Sequence, residues 1–475
     1  MPVYFLSWVS KKLWALDILL FVIFLLFACI IMYCYPVPQL TWDSFYYVKA
    51  SITGDYGIRP AGYAIFLKIT HLFLSDIQGV AYVQFFLHFL SLLFLLRVIK
   101  NVFNVSSVVY IVLGLLLIAE PVALYYANNI LSDILFSAIS TAALASLLWY
   151  LSKPSILLLA LHLLLVFLAV EVRLIALFYP FFTCAVLLAT WPGVRSFVSC
   201  VVIALLCGML WQWHVSINKK QYGVAIYSAF SDWTVANNAL YSLYYVDENS
   251  IKNPNIQAQH LFFRHYMDTS SFKVNEIGSP YLWDDASPLN YIRIHKTDSL
   301  HLSYNASWFY VAPEFGTYGS YIQWHFPGLY IKTFVVPNLA TMQNPLYGEM
   351  ADYRLTKFMD TITLNRYHLQ PEQVKFRKEP YRRRINGVIA ASYPVEFILF
   401  ILSGVLFFVN RRKWPLTGGK LMCVLLAFPV LYYGAMLWSS SFIFRYLIPV
   451  YPIVYTVIVL NISALLNKQS ATVNS

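Results

Sequence analysis

The chain has 475 residues, 59% of them hydrophobic and 12% charged. A soluble domain carries about 25% charged residues and a single apolar core stops growing at about 250–300 residues, so a water-soluble globule is excluded and a bilayer is the solvent. The formal net charge of +11 does not indicate nucleic acid as a partner, because the cations sit at the ends of apolar runs, where membrane topology uses them.

In chain order, Lys11 and Lys12 precede an apolar run that ends near Tyr35. It is too long for a signal-peptide core and no small-residue cleavage site follows, so it reads as an uncleaved anchor. Runs long enough to span occur at 13–35, 79–100, 106–126, 129–151, 154–172, 174–191, 196–216, 391–410, 419–440 and 446–466, which predicts about ten transmembrane helices. The stretch 106–151 is divided where Glu120-Pro121 and Asn128-Asn129 interrupt it. All six cysteines lie in apolar runs, so no disulfide framework is visible, which favours a bacterial periplasm over a eukaryotic lumen for the exported parts.

With the N-terminus inside, the cytoplasmic ends hold Arg97, Lys100, Lys153, Arg195, Arg411, Arg412, Lys413, Lys420 and Lys468, with Asp17 as the accompanying carboxylate. That asymmetry places both termini in the cytoplasm. The expected organisation is a transmembrane core over 1–216, an external segment over 217–390, and C-terminal transmembrane helices over 391–475. The external segment has 17 Lys/Arg and 14 Asp/Glu and is rich in Tyr, Trp, His, Asn and Pro, so it reads as an ordered domain of mixed structure lying on the membrane.

The first external loop, 36–78, has structure of its own. Thr41 or Asp43 can cap a short helix. After Gly54 and Gly57, Pro60 can start a second helix over Ala61–Leu74, too short to span and therefore interfacial.

Six charged groups gather in depth at the outer boundary: Asp43, Arg59, Asp133, Glu171, Arg173 and Arg445. Ionisable groups near hydrocarbon face a polar cavity or one another. Arg offers a bidentate fork to phosphate, and a carboxylate can act as a base. Each also has a local explanation. Asp43 fits a helix cap and Asp133 a helix N-terminus. Glu171 and Arg173 could pair with each other, Arg59 fits the start of an interfacial helix, and Arg445-Tyr446 suits an aromatic belt. His325, in Gln323-Trp324-His325-Phe326-Pro327, is a weak metal candidate, since no tight ligand spacing accompanies it.

The order of these features resembles the GT-C-type membrane glycosyltransferases that use polyprenyl-phosphate sugars, such as protein O-mannosyltransferases and the lipid A aminoarabinose transferase. Asp43 stands where members carry an acidic residue just after the first span. Arg59-Pro60-Ala61-Gly62-Tyr63-Ala64 is similar to an Arg-Pro-Pro-Gly-Tyr-Pro stretch, Ser132-Asp133 to a second acidic position, and Arg445-Tyr446-Leu447-Ile448-Pro449-Val450-Tyr451-Pro452 to a late Arg-Tyr-x-x-Pro-x-x-Pro. The likeness covers 1–216 and 391–475 but not 217–390. Asp43 stands as a single carboxylate where several members have an adjacent pair, which leaves a divalent-metal requirement open, and Ala61 and Ala64 replace prolines.

The resemblance implies a helical GT-C-like fold and inverting transfer of a sugar from a polyprenyl-phosphate carrier at the periplasmic face of a bacterial inner membrane. The acceptor would be a glycan, lipid or protein. Asp43 would be the catalytic base and Asp133 a second carboxylate orienting acceptor or ion. Arg59, Tyr63, Glu171, Arg173, Arg445 and Tyr446 would line the substrate and phosphate site. Two other classes remain open: an O-antigen ligase or polymerase acting on a diphosphate-linked glycan, and a transporter of lipid-linked glycans. Boundary charges and the lack of a sequence repeat favour an enzyme over the transporter.

Overall fold

A computed structural model describes residues 11–341, 361–369, 379–441 and 443–473. The named elements of the described chain are all helices, and an isolated parallel bridge joins Gln39 and Asn129. The first span is α1, Lys11–Cys34, followed in the first loop by α2, Trp42–Thr53, and α3, Gly62–Phe73. The core continues through α4 Ile77–Phe103, α5 Ser107–Ile118, α6 Pro121–Ala127, α7 Ser132–Ser152 and α8 Ile156–Val172. A 3-10 turn over Leu174–Phe178 leads into α9, Tyr179–Thr190, and then α10, Val194–Tyr222.

Six described helices are long and apolar enough to cross a membrane, and the bent pair α5–α6, which turns by 51°, makes a seventh. The protein is therefore a multi-pass membrane protein. Three of the ten predicted runs form shorter apolar helices instead, Ile156–Val172, Leu174–Thr190 and Tyr451–Leu466. The α5–α6 bend falls at the expected punctuation. Pro121 has no N–H to continue the helix, and the Glu120 carboxylate accepts from the backbone N–H of Val122 at 2.8 Å and of Ala123 at 2.5 Å. At the other end of the core, Asp17 pairs with Arg97 and accepts from the Tyr110 hydroxyl at 2.5 Å, joining α1, α4 and α5.

The segment expected to be mixed is helical wherever it is described; 342–360 and 370–378 lie outside the described residues. Its longer helices and the short turn between them are α11 Ala229–Leu240, α12 Pro254–Thr269, α13 Pro280–Trp283, α14 Pro288–Thr297 and α15 Tyr304–His325, and shorter helical pieces follow at Pro327–Tyr330, Val336–Thr341 and Thr361–Arg366. The physical reason lies in residues that otherwise suggest loops. Asn253 and Ser287 cap α12 and α14 through side-chain bonds to backbone N–H groups, with Pro at the first helical position of each. Ser228 and Ser303 cap α11 and α15 in the same way. The crossing of α11 and α15 is close because Gly319 offers no side chain; a Cβ there would stand 2.5 Å from the Val235 carbonyl carbon. Trp233 stacks on Trp308 at 3.8 Å between ring centroids and donates its indole N–H to the Trp308 carbonyl at 3.1 Å. These residues form an apolar core separate from that of the spanning helices, and Ile58 of the first loop is buried in it.

The C-terminal part comprises α16 Glu379–Asn410, α17 Leu416–Ser439, a 3-10 turn over Phe444–Leu447, and α18 Tyr451–Val473. That turn delivers Arg445 to the end of the core at which α2 and the start of α7 lie.

Candidate active site

Asp43 is the second residue of α2. Thr41 takes the cap position, its backbone N–H donating to the Ser44 hydroxyl at 2.9 Å. The Asp43 carboxylate is thereby free of capping and receives Arg59 at 2.5 Å on one oxygen and Arg445 at 2.9 Å on the other. Asp133, the second residue of α7, pairs with Arg173, which directly follows α8, and lies 3.8 Å from Arg445 Nε. Three guanidinium groups thus face two carboxylates in one connected network. The surplus is one positive charge.

The network lines a cavity of about 460 Å³ that also exposes Tyr47, Ser132 and Tyr446. Apolar walls come from Leu177 and Phe178 of the 3-10 turn and from Met436 and Trp438 of α17. Phe230, Ser231 and Thr234 of α11 complete the lining. The size suits a small ligand.

Arg59 is held by more than its carboxylate. Its guanidinium lies 5.5 to 6.0 Å from the ring centres of Tyr46, Tyr47, Phe230 and Trp283, within cation–π range. The loop before it is pinned from three directions. The Tyr46 hydroxyl donates to the Tyr56 carbonyl and accepts from the Ile58 N–H, each at 2.9 Å. The Gly57 N–H donates to the Tyr222 hydroxyl at 3.0 Å, and Asn305 donates to Asp55 at 3.0 Å. Gly57 has φ +50, and a Cβ on it would fall 1.9 Å from the Tyr46 hydroxyl oxygen. Arg173 stacks over Tyr446, 4.2 Å from its ring centre.

Burial alone would raise the Asp43 carboxyl, but the guanidiniums of Arg59 and Arg445 outweigh it and hold the group below its ordinary value. Asp43 is ionised throughout the neutral range.

The cavity therefore brings together Asp43, Arg59, Asp133, Arg173, Arg445 and Tyr446. It does not include Tyr63, which is fully buried and donates its hydroxyl to Gln84 at 2.7 Å. Glu171 does not pair with Arg173; it binds His214 at 2.7 Å and faces an adjoining cavity. His325 also lies outside that cavity. Its ring stacks on Tyr321 at 3.9 Å and its Nδ1 lies 3.1 Å from the Tyr321 carbonyl, and among the described residues no three His, Cys, Asp or Glu side chains converge as ligands. At the main cavity the donor set also fits a divalent ion poorly, since both carboxylates are already engaged by guanidinium groups. Phe230 and Trp283 escape a sequence reading because they are remote in the chain and carry no motif; Tyr46 and Tyr47 had only their nearness to Asp43 to mark them.

No protein-family model matches the sequence, and comparison with curated proteins finds no match. Among solved structures, the chain is similar to the archaeal oligosaccharyltransferase AglB from Archaeoglobus fulgidus in complex with an inhibitory peptide and a dolichol-phosphate. The TM-score is 0.39 at 12% identity, over 96% of this chain and 51% of that one. The chain thus spans about half the length of that protein, and the functional reading rests on the site itself.

Proposed function

We propose that the protein is an inverting membrane glycosyltransferase that moves a sugar from a polyprenyl-phosphate carrier to a hydroxyl-bearing acceptor on the non-cytoplasmic face of the membrane. The observation that carries this reading is Asp43, clamped by Arg59 and Arg445 in a cavity with net positive charge and apolar walls. The guanidinium surplus attracts a phosphate, and the apolar walls suit the start of an isoprenoid chain.

The donor phosphate competes with Asp43 for the same guanidinium groups. As Arg59 and Arg445 turn to the phosphate, Asp43 loses its partners and gains basicity. It then accepts the proton of the acceptor hydroxyl as that oxygen bonds to the anomeric carbon. The bond from the anomeric carbon to the phosphate oxygen breaks on the opposite face, and the electron pair leaves with the phosphate, where fixed guanidinium charge stabilises it. One displacement inverts the centre. Asp133 positions Arg173 and Arg445.

The test uses the full chain in nanodiscs with radiolabelled polyprenyl-phosphate monosaccharide. Cleavage of the donor supports the transferase. Vectorial movement without cleavage would identify a transporter, and activity restricted to a diphosphate-linked oligosaccharide would identify a ligase. Asp43→Asn is expected to reduce cleavage by about 10²–10⁴-fold, the range for a general base, while the variant still inserts and elutes as a single species. Undiminished turnover by that variant removes Asp43 as the base.

A further inference from the structure

A second cavity, of about 360 Å³, adjoins the ion-paired one. Ile58, Arg59, Pro60 and Leu174 line both, so the pinned loop forms a common wall. The two differ in charge. The first carries Arg173 and Arg445 in addition to Arg59. Around the second, Arg59 is the only Lys or Arg, and its guanidinium is committed to Asp43. Glu171 is the carboxylate of this lining, and His214 sits 2.7 Å from it. Trp213 and Tyr227, the latter stacked on Trp211 at 4.6 Å, share the walls with Ser228 and with Gln221, whose amide donates to Asp55 at 3.2 Å.

This chemistry rejects an anion and suits a neutral ring with hydroxyl groups. The C–H face of a pyranose packs against aromatic carbon, and its hydroxyls exchange hydrogen bonds with a carboxylate, an amide and an alcohol. We infer that the second cavity binds a glycosyl residue of the acceptor, with Glu171 accepting from one sugar hydroxyl and Gln221 bonding another. Calling that residue the acceptor rests on the transferase reading; the affinity for a neutral saccharide does not. Arg59 is the divider between the two substrates, and its turn toward the donor phosphate brings an acceptor hydroxyl within reach of Asp43.

The test is photolabelling of the full chain in nanodiscs with a diazirine-bearing octyl hexoside, mapped by mass spectrometry. Label is expected in the peptide containing Trp213 to Tyr227. Excess methyl hexoside should displace it, and inorganic phosphate should not. Glu171→Gln and Gln221→Ala, both mild enough to preserve folding, should each lower that labelling by about tenfold, the loss of one hydrogen bond involving a charged or buried partner. Displacement by phosphate would overturn the inference in favour of an anion site. Label spread along the lipid-facing side of α10 and indifferent to both variants would also overturn it. Donor cleavage measured on the same preparations separates the two proposals. Labelling without cleavage keeps the saccharide site and removes the transferase. Cleavage without site-specific labelling does the reverse.

Discussion

Asp43 and Asp232 are two carboxylates whose surroundings push them in opposite directions. Asp43 is held low by its guanidinium partners, so the pH dependence of kcat/KM, which reports the free enzyme, should show no acidic fall from pH 8 down to about 5, above the ordinary aspartate range. A descending limb above that point would mean that a different base is at work. Asp232 lies against Gly316 of α15, and burial raises it to about 7. Its charged form is therefore disfavoured in the fold. The resulting stability is present at low pH and lost as pH rises from the unfolded value toward 7. Asp232→Asn should raise the melting temperature at pH 8 relative to the parent, and the difference should shrink toward pH 5. At this scale Asp43, Asp133 and the three arginines were legible, because charges at a membrane boundary need partners. Which carboxylate meets which guanidinium was not legible. Glu171 and Arg173 are two apart at a helix end, yet they face different cavities and take different partners.

The element that fixes the site is the loop between α2 and α3. Gly57→Ala would need a left-handed conformation, which costs about 1–2 kcal/mol for a non-glycine residue, and would drive a methyl group into Tyr46. A displacement of Arg59 by about 1 Å is enough to lower transfer by up to about 100-fold, so donor cleavage should fall steeply while membrane insertion is retained. The 3-10 turn that carries Arg445 is the second such element. Arg445→Lys keeps the charge but loses the planar fork, and the donor KM should rise by roughly tenfold, about one charge-assisted hydrogen bond. Binding unchanged in that variant would show that the phosphate does not meet Arg445. Most spanning helices were legible as apolar runs, and the α5–α6 bend was legible through Glu120-Pro121. The helical character of the described part of 217–390 was hidden, although Asn253-Pro254 and Ser287-Pro288 carried the cap-then-proline signal. Aromatic and polar composition masked it.

Over the whole molecule, the charge asymmetry of the loops predicts which side of the membrane each layer occupies. A cysteine introduced at exposed Asp298 should react with an impermeant maleimide added outside intact cells, and one at exposed Lys153 should react only after permeabilisation. The reverse pattern would invert the topology and place the site in the cytoplasm. The two apolar cores were only partly legible, since composition separates them but does not show that Ile58 of the first loop is buried in the external one. The ion pair between Asp43 and Arg445 joins residues 402 positions apart. Synthesis must therefore pass residue 445 before the positive pocket exists. Chains that stop short of residue 445 would carry Asp43 without its second guanidinium and would lack the surplus positive charge of the cavity. Co-expression of residues 1–374 and 375–475 as separate fragments, a division that leaves α16 whole, should restore donor cleavage that neither fragment shows alone.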